Sequence, residues 1–254
     1  MVLRGRPAAT LPAVIDGAGA RTLSVVMPCF NEQATVVEAC RRVLTSPYCG
    51  QLVVVDDAST DGSLASFSAI EDERLTVLRH EVNRGKGAAL RTGFAKAVGP
   101  FVIVQDADLE YDPADYEVLI QPLLDGLADV VYGSRFQSGR AHRVLYFWHS
   151  LGNRLLTLVS NAFTNLNLTD METGYKAFRK EVLDAMDLRE DRFGIEPEIT
   201  AKAAAGGWRI YEVGISYRGR TYAEGKKIGW RDGVHALVSI VRYSPLLSRV
   251  LARR

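Results

Sequence analysis

The chain has 254 residues, with 31 Lys and Arg against 30 Asp and Glu, a net charge of +1 and 47% hydrophobic residues. Those figures exclude a strongly basic nucleic-acid binder, an acidic disordered chain and a disulfide scaffold, and they allow one large core. The charge balance holds only globally: Val130 to Thr169 contains four arginines and no acid, and from Val213 onward nine Lys or Arg face two acids. A site for an anionic ligand needs cations gathered in one place, and this segregation can provide them.

Residues 1–21 are rich in Ala, Gly, Pro and Thr and read as a flexible tail. Leu23 to Met27 is a short apolar run followed by a helical pattern through Val36, Ala39, Cys40 and Val43, which predicts a buried strand and then a helix. Gln51 to Val55 repeats the pattern and ends in Asp56-Asp57-Ala58-Ser59-Thr60-Asp61-Gly62, a polar turn rich in helix-capping residues. Leu75 to Leu78 predicts a third strand, Gly87 to Val98 a helix, and Phe101 to Gln105 a fourth strand that stops at Asp106-Ala107-Asp108. A helix over Pro113 to Leu124 and a fifth strand over Asp129 to Tyr132 follow. Strands without polar alternation, separated by helices, predict an α/β fold with a mostly parallel sheet covered on both faces. Ligands of such sheets bind at the carboxyl ends of the strands, where Pro28 to Glu32, Asp56-Asp57 and Asp106 to Asp108 all fall.

Beyond Tyr132 the texture changes. Val144 to Leu168 is acid-free and apolar on more than one side, which predicts a long helix that is buried or rests on something greasy. Thr173 to Phe178 and Trp208 to Ile215 read as strands around a helix from about Glu196 to Ala205. Arg218 to Gly229 is a basic loop, and Trp230 to Leu251 an amphipathic helix interrupted at Pro245. No stretch approaches the ~20 apolar residues that span a bilayer. Cys29, Cys40 and Cys49 match neither zinc spacing nor a disulfide framework, so a reduced, cytoplasmic chain is expected.

Asp106-Ala107-Asp108, with Glu110 two residues on, is the sharpest chemical feature. Carboxylates crowded at the end of a buried strand repel one another and need a cation; an oxygen-only set suits Mg²⁺ or Mn²⁺ completed by substrate phosphate. The plainer reading is a surface loop capping the helix near Pro113, and Asp56-Asp57 could likewise be turn chemistry. Asn83-Arg84-Gly85-Lys86-Gly87 fails the P-loop pattern, because Ala88 stands where Ser or Thr is needed. What remains is a flexible turn into a helix N-terminus, near which an anion could sit.

Taken together, Pro28-Cys29-Phe30-Asn31-Glu32, Val55 to Gly62, Asn83 to Gly87, Asp106-Ala107-Asp108 and Gly133-Ser134-Arg135 resemble the family 2 glycosyltransferases of GT-A fold. Among these they are most similar to the dolichol- and polyprenyl-phosphate mannose or glucose synthases. The resemblance implies a GT-A domain over 22–232, with a nucleotide-sugar half (22–135) and an acceptor half (136–232), followed by a basic amphipathic helix (233–254). It implies that Pro28, Phe30 and Glu32, with Asp56 and Asp57, hold the base and ribose, and that Val54, Lys86, Asp106 and Ala107 complete the donor site. Asp106 and Asp108, joined by Glu110, would hold Mg²⁺ or Mn²⁺, with Asp108 and Arg135 as the catalytic pair. Arg135, Arg220, Lys226 and Lys227 would hold phosphates of donor and acceptor.

The expected activity is inverting transfer of a hexose from a nucleotide sugar to a polyprenyl phosphate, peripheral to the cytoplasmic face of an anionic membrane. A homo-oligomer or a membrane-anchoring partner is compatible with it, and nucleic acid is not a partner. Two departures stand out: Glu110 replaces a frequent Gln, and Phe30 a frequent Tyr. Other readings are a family 2 transferase with a hydroxyl acceptor, needing a base from among Asp191, Glu196 and Glu198; a sugar-phosphate nucleotidyltransferase, whose Gly-rich signature is missing after the first strand; and a binding protein without turnover.

Overall fold

The computed structural model describes residues 21–137, 143, 144, 146–220 and 230–246. Within them one sheet forms from β1 (Leu23–Cys29), β2 (Cys49–Asp56), β3 (Leu75–Arg79), β4 (Phe101–Val104), β5 (Val130–Ser134), β6 (Lys176–Arg179) and β7 (Ile210–Gly214), in the order β3-β2-β1-β4-β6-β5-β7. All pairs are parallel except those of β6, which runs antiparallel to both β4 and β5. The helices are α1 (Val36–Thr45), α2 (Ser63–Ser66), α3 (Lys86–Lys96), α4 (Tyr116–Leu124), α5 (Phe147–Thr164), α6 (Lys180–Asp184), α7 (Ile195–Gly206) and α8 (Trp230–Tyr243).

The period-2 geometry of β1 divides its side chains between two cores. Val25 and Met27 pack with Val36 and Val43 of α1 and Leu119 and Ile120 of α4. Val26 faces the other way, onto Leu90 and Phe94 of α3 and Ile195 and Ile199 of α7. Each fully buried side chain of this size contributes roughly 1.5–3 kcal/mol relative to exposure, so the apolar runs of the sequence become the central strands. α5 and α8 pack over α7 and close the second core.

Three elements differ from the sequence expectation. α5 stops at Thr164 because Asn165 takes a left-handed conformation (φ 58°), and the Asn161 amide then ties down Leu168 through both its N–H and its carbonyl. The strand expected from Thr173 begins only at Lys176, because the preceding residues form a turn held by side-chain hydrogen bonds. α8 reaches Tyr243, and the part of the expected helix beyond residue 246 lies outside the described residues, as does the tail through residue 20. The three cysteines are buried and unpaired. Among the described residues no helix is long and apolar enough to cross a membrane.

Candidate active site

β1, β2, β4 and β5 end at one edge of the sheet, and the antiparallel β6 starts there. A cavity of about 420 Å³ opens along this edge, within the usual range for small-molecule sites.

At one end of it two turns are knitted together. The Asn31 carboxamide oxygen accepts from Thr60 N at 2.8 Å, Glu32 N donates to Ser63 Oγ at 2.8 Å, and Gln33 N donates to Asp61 Oδ2 at 3.1 Å. These bonds hold the Pro28 to Gln33 turn against the turn that follows β2, with Asn31 in the left-handed region (φ 54°) and Phe30 half-exposed at the cavity lip. Asp57 organises the neighbouring loop: it accepts from Arg84 N at 2.9 Å and Gly85 N at 2.7 Å, and its Oδ1 lies 2.6 Å from His80 Nδ1. Gly85 has φ 96°, and a Cβ there would lie 2.4 Å from the Asp191 carbonyl, so only glycine fits between the Asp57 carboxylate and the segment before α7.

That loop delivers Lys86 to the first helical position of α3, where its Nζ lies 2.9 Å from Asp106 Oδ1 and 3.2 Å from Glu196 Oε1. Burial alone would lower its pKa, but the charges of Asp106 and Glu196 raise it well above the usual lysine value. Asp108 is pushed up to about 7 by burial and by the charges of Asp106 and Glu110, against a smaller opposing effect of Arg220. Such a carboxylate is short of positive charge. Hard divalent cations take such oxygen donors, and Asp106 and Asp108 beside an open cavity are the residues that would hold one.

Two further basic side chains, Arg135 and Arg220, enter from β5 and the segment after β7. Arg135, just past β5, is held by Asp170 through contacts of 2.7 Å from both Nε and Nη2, and its guanidinium lies 5.3 Å from the Tyr217 ring centroid. Arg220 donates from Nη2 to Glu32 Oε2 at 2.8 Å and from Nε to the Asp108 carbonyl at 3.1 Å.

The sequence-predicted residues therefore separate into groups. Pro28, Phe30, Glu32, Asp57, Lys86, Asp106, Ala107, Asp108, Glu110, Arg135 and Arg220 all line the one cavity. Val54 does not: it points into the core of the sheet and is 0% exposed. Asp56 is also fully buried and is absent from the cavity wall; Ser59 N donates to its Oδ2, while its Oδ1 is without a partner. Glu110 reaches the cavity, but its oxygens accept from Tyr217 Oη at 2.6 Å and Arg220 N at 2.7 Å, so it fastens the 217–220 segment rather than completing a three-acid metal set. Among the described residues no group of three or more His, Cys, Asp or Glu side chains is arranged to hold a metal. Lys226 and Lys227 lie outside the described residues.

Sequence reasoning missed Asp170, Glu172, Tyr111 and Tyr217. The signal for the first two was present: acids reappear at Asp170 and Glu172 immediately after forty acid-free residues, ahead of a buried strand. The tyrosines carried no such signal, because an aromatic beside a strand reads equally as core. Of the three carboxylates considered as a base, only Glu196 lines the cavity. Asp191 pairs with Arg91 at 2.6 Å on the surface, and buried Glu198 accepts from the Arg189 and Glu190 N–H groups and from Lys202.

A sheet of this topology, with its charged residues gathered on the carboxyl edge, has the architecture of the GT-A glycosyltransferases. The chain belongs to glycosyl transferase family 2, whose model matches residues 24–186. It is 31% identical over 237 residues to an undecaprenyl-phosphate mannosyltransferase of Micrococcus luteus, covering 88% of this chain and 93% of the relative. It is 29% identical over 215 residues to a dolichol-phosphate mannosyltransferase of Pyrococcus furiosus, covering 81% of this chain and 60% of that longer protein. The fold matches glucosyl-3-phosphoglycerate synthase of Mycobacterium tuberculosis, solved with Mn²⁺, UDP and glucosyl-3-phosphoglycerate, at a TM-score of 0.69 and 22% identity over 94% of this chain and 86% of that one. The protein is a glycosyltransferase.

Proposed function

We propose that the chain transfers a hexose, with inversion, from a nucleotide sugar of the GDP-mannose or UDP-glucose type to a polyprenyl or dolichyl phosphate. The observation that carries this reading is the meeting of Asp106 and Asp108 with Arg135 and Arg220 in one cavity. Acids able to share a cation with a donor diphosphate lie beside cations able to receive an acceptor phosphate. The names of the relatives in Micrococcus luteus and Pyrococcus furiosus point to the same acceptor class.

An ionised acceptor phosphate is already a nucleophile. Its oxygen attacks the anomeric carbon as the bond from that carbon to the diphosphate oxygen breaks, and the nucleoside diphosphate leaves with the electron pair. No proton needs to move, so the protein's task is to bring two anions together and stabilise the departing one. Mg²⁺ or Mn²⁺ held by Asp106 and Asp108 would supply Lewis-acid neutralisation of the leaving diphosphate. Arg135, fixed by Asp170, orients the acceptor phosphate, and Arg220 closes the cavity over Asp108. Direct displacement from an α-linked donor gives a β-linked product.

The lipid tail would lie along α5 and α8. Phe147 (69% exposed), Trp148 (77%), Leu155 (55%) and Leu158 (65%) of α5 and Val234 and Val238 of α8 present apolar surface, and the α5 region carries no acid. Anionic head groups attract basic residues near such a surface by about 1 kcal/mol each. The reading places the chain at the cytoplasmic face of the membrane; a second copy or a membrane-anchoring partner would use the same apolar face.

A hydroxyl acceptor is the second reading, favoured by Glu196, a carboxylate in the cavity with one unpartnered oxygen. Incubation with a panel of nucleotide sugars, Mg²⁺ or Mn²⁺ and a short polyprenyl phosphate separates the two. Labelled prenyl phosphosugar is the expected product; turnover only with hydroxyl acceptors would replace the lead reading with the second.

A further inference from the structure

We propose that Glu172 and Glu196 form the subsite that recognises the hydroxyls of the transferred hexose, an inference that rests on the donor and acceptor assignment above. The order of strand ends along the cavity locates it. β1 carries the Pro28 to Glu32 turn, β4 ends at Asp106 to Asp108, and β5 ends at Arg135; β6, whose lead-in carries Glu172, lies between β4 and β5. A hexose joined to the terminal phosphate of a nucleoside diphosphate must extend past the metal acids toward the acceptor phosphate, and Glu172 lies in that interval.

The segment carrying Glu172 and the Glu196 carboxylate both adjoin Asp106. A Cβ at Gly174 would come within 2.5 Å of Asp106 Oδ2, so the glycine lets the segment carrying Glu172 lie directly on that acid. Glu196 is joined to Asp106 by the Lys86 bridge. Both line the cavity, and in each one oxygen is buried without a partner: Glu172 Oε1 and Glu196 Oε2. Glu196 is 6% exposed. Buried acceptors without donors are costly, which calls for donors from a ligand. Neighbouring sugar hydroxyls suit such a pair, because each offers an O–H to a carboxyl oxygen.

The pair is also preorganised. Lys176, 1% exposed, donates to the carbonyls of Met171 and Thr173 on either side of Glu172 and so fixes the backbone there. Glu196 stands in the first turn of α7. Burial and the charge of Glu196 push the Glu172 carboxyl above the usual glutamate value, consistent with an acid not yet given its hydrogen-bond donors.

Calorimetric titration with Mg²⁺ and GDP or UDP, followed by kinetics with GDP-mannose or UDP-glucose, tests the subsite. Glu172→Gln and Glu196→Gln retain nucleoside diphosphate affinity, which also certifies their folding, and lose roughly 10- to 100-fold in kcat/KM for the nucleotide sugar. Donors lacking one hexose hydroxyl at a time sharpen the result: the deoxy donor missing the hydroxyl bound by Glu172 is impaired with the unmodified chain and suffers little further loss with Glu172→Gln. Glu172→Asp, which keeps the carboxyl group and withdraws its oxygens by one methylene, behaves like the glutamine variant. Equal losses for nucleoside diphosphate and nucleotide sugar, equal losses for every deoxy donor, or rescue by Glu172→Asp would overturn the subsite and leave the donor assignment standing. An unmodified chain that binds no nucleoside diphosphate and turns over no donor would overturn that assignment itself.

Discussion

The Arg220 guanidinium lies 2.8 Å from the Glu32 carboxylate, joining the basic C-terminal segment to the first turn of the sheet across 188 residues of sequence. The same side chain reaches the Asp108 carbonyl, and its backbone N–H is held by Glu110. Arg220 is thus a clamp between the Pro28 to Glu32 turn and the Asp106 to Asp108 segment, and its loss removes the 2.8 Å contact to Glu32. Arg220→Ala is expected to reduce kcat/KM by about 10- to 100-fold with a smaller change in melting temperature. Arg220→Lys should recover only part, because one ammonium cannot serve both Glu32 and Asp108. Steady-state kinetics with both variants decide it; full activity in Arg220→Ala would remove the residue from the site.

Asp57 and Asp108 are both aspartates on the cavity wall, yet their substitutions are expected to behave in opposite ways. Asp57 accepts two backbone N–H bonds and the His80 contact, so Asp57→Ala strips the Asn83 to Gly87 loop of its anchor and should cost about 2–4 kcal/mol in denaturant unfolding. Asp108 is crowded by Asp106 and Glu110. Asp108→Asn relieves repulsion and should leave the melting temperature unchanged or raised, while abolishing the extra stabilisation that Mg²⁺ with a nucleoside diphosphate gives the unmodified chain. Thermal melts of the two variants with and without these ligands provide the comparison; equal destabilisation by both would make the Asp106 to Asp108 cluster structural.

The Asp170 and Arg135 pair sets a pH dependence. Burial alone would raise the Asp170 carboxyl, but the charge and hydrogen bonds of Arg135 outweigh it and hold the group below the usual aspartate value. A folded value below the unfolded one means that the pair's stabilisation is complete above the unfolded value near 4 and is lost as pH falls through the folded value. Asp170→Asn should therefore flatten the acid limb of the stability curve. Asp170→Ala leaves a buried guanidinium unpaired and should cost about 3–5 kcal/mol at neutral pH. Urea unfolding between pH 7 and pH 3 reads both effects, and an unchanged acid limb in Asp170→Asn would show that other carboxylates dominate it.

Much of this arrangement was legible in the chain because it is local. The apolar runs became β1, β2, β4 and β5, and Glu32, Asp57, Asp106 and Asp108, which follow β1, β2 and β4, became one wall of the cavity, since strand ends are fixed by hydrophobic periodicity and parallel pairing. Relations that depend on distant segments were hidden. Nothing near Glu110 indicates that Tyr217 and the Arg220 N–H would occupy its oxygens, and nothing near Val54 separates a core position from a ligand contact two residues before a turn. The reversal of β6 was equally unreadable, because a four-residue strand has no direction in its pattern, yet that reversal carries Glu172 to the same edge as Asp106.

α5 tests the membrane assignment most directly, because its exposed stripe contributes little to the core. Its buried positions are Thr157, Ser160 and Thr164, while Leu155 and Leu158 stand more than half exposed on the opposite side. Replacing both leucines with Glu should change folding stability by less than about 1 kcal/mol, since exposed apolar side chains gain little on folding. Binding is a different matter. The double variant removes apolar surface and places two negative charges in an acid-free region, so sedimentation with vesicles containing phosphatidylglycerol should fall by about tenfold or more. Turnover should then separate by acceptor: transfer to a long polyprenyl phosphate in vesicles drops, while transfer to a short, water-soluble prenyl phosphate is retained, because the cavity residues are untouched. Trp148, at 77% exposure beside this stripe, supplies an independent signal, since its fluorescence should shift to the blue when the unmodified chain meets the vesicles and stay unshifted in the variant. Equal vesicle binding by both proteins would move the lipid-facing surface away from α5.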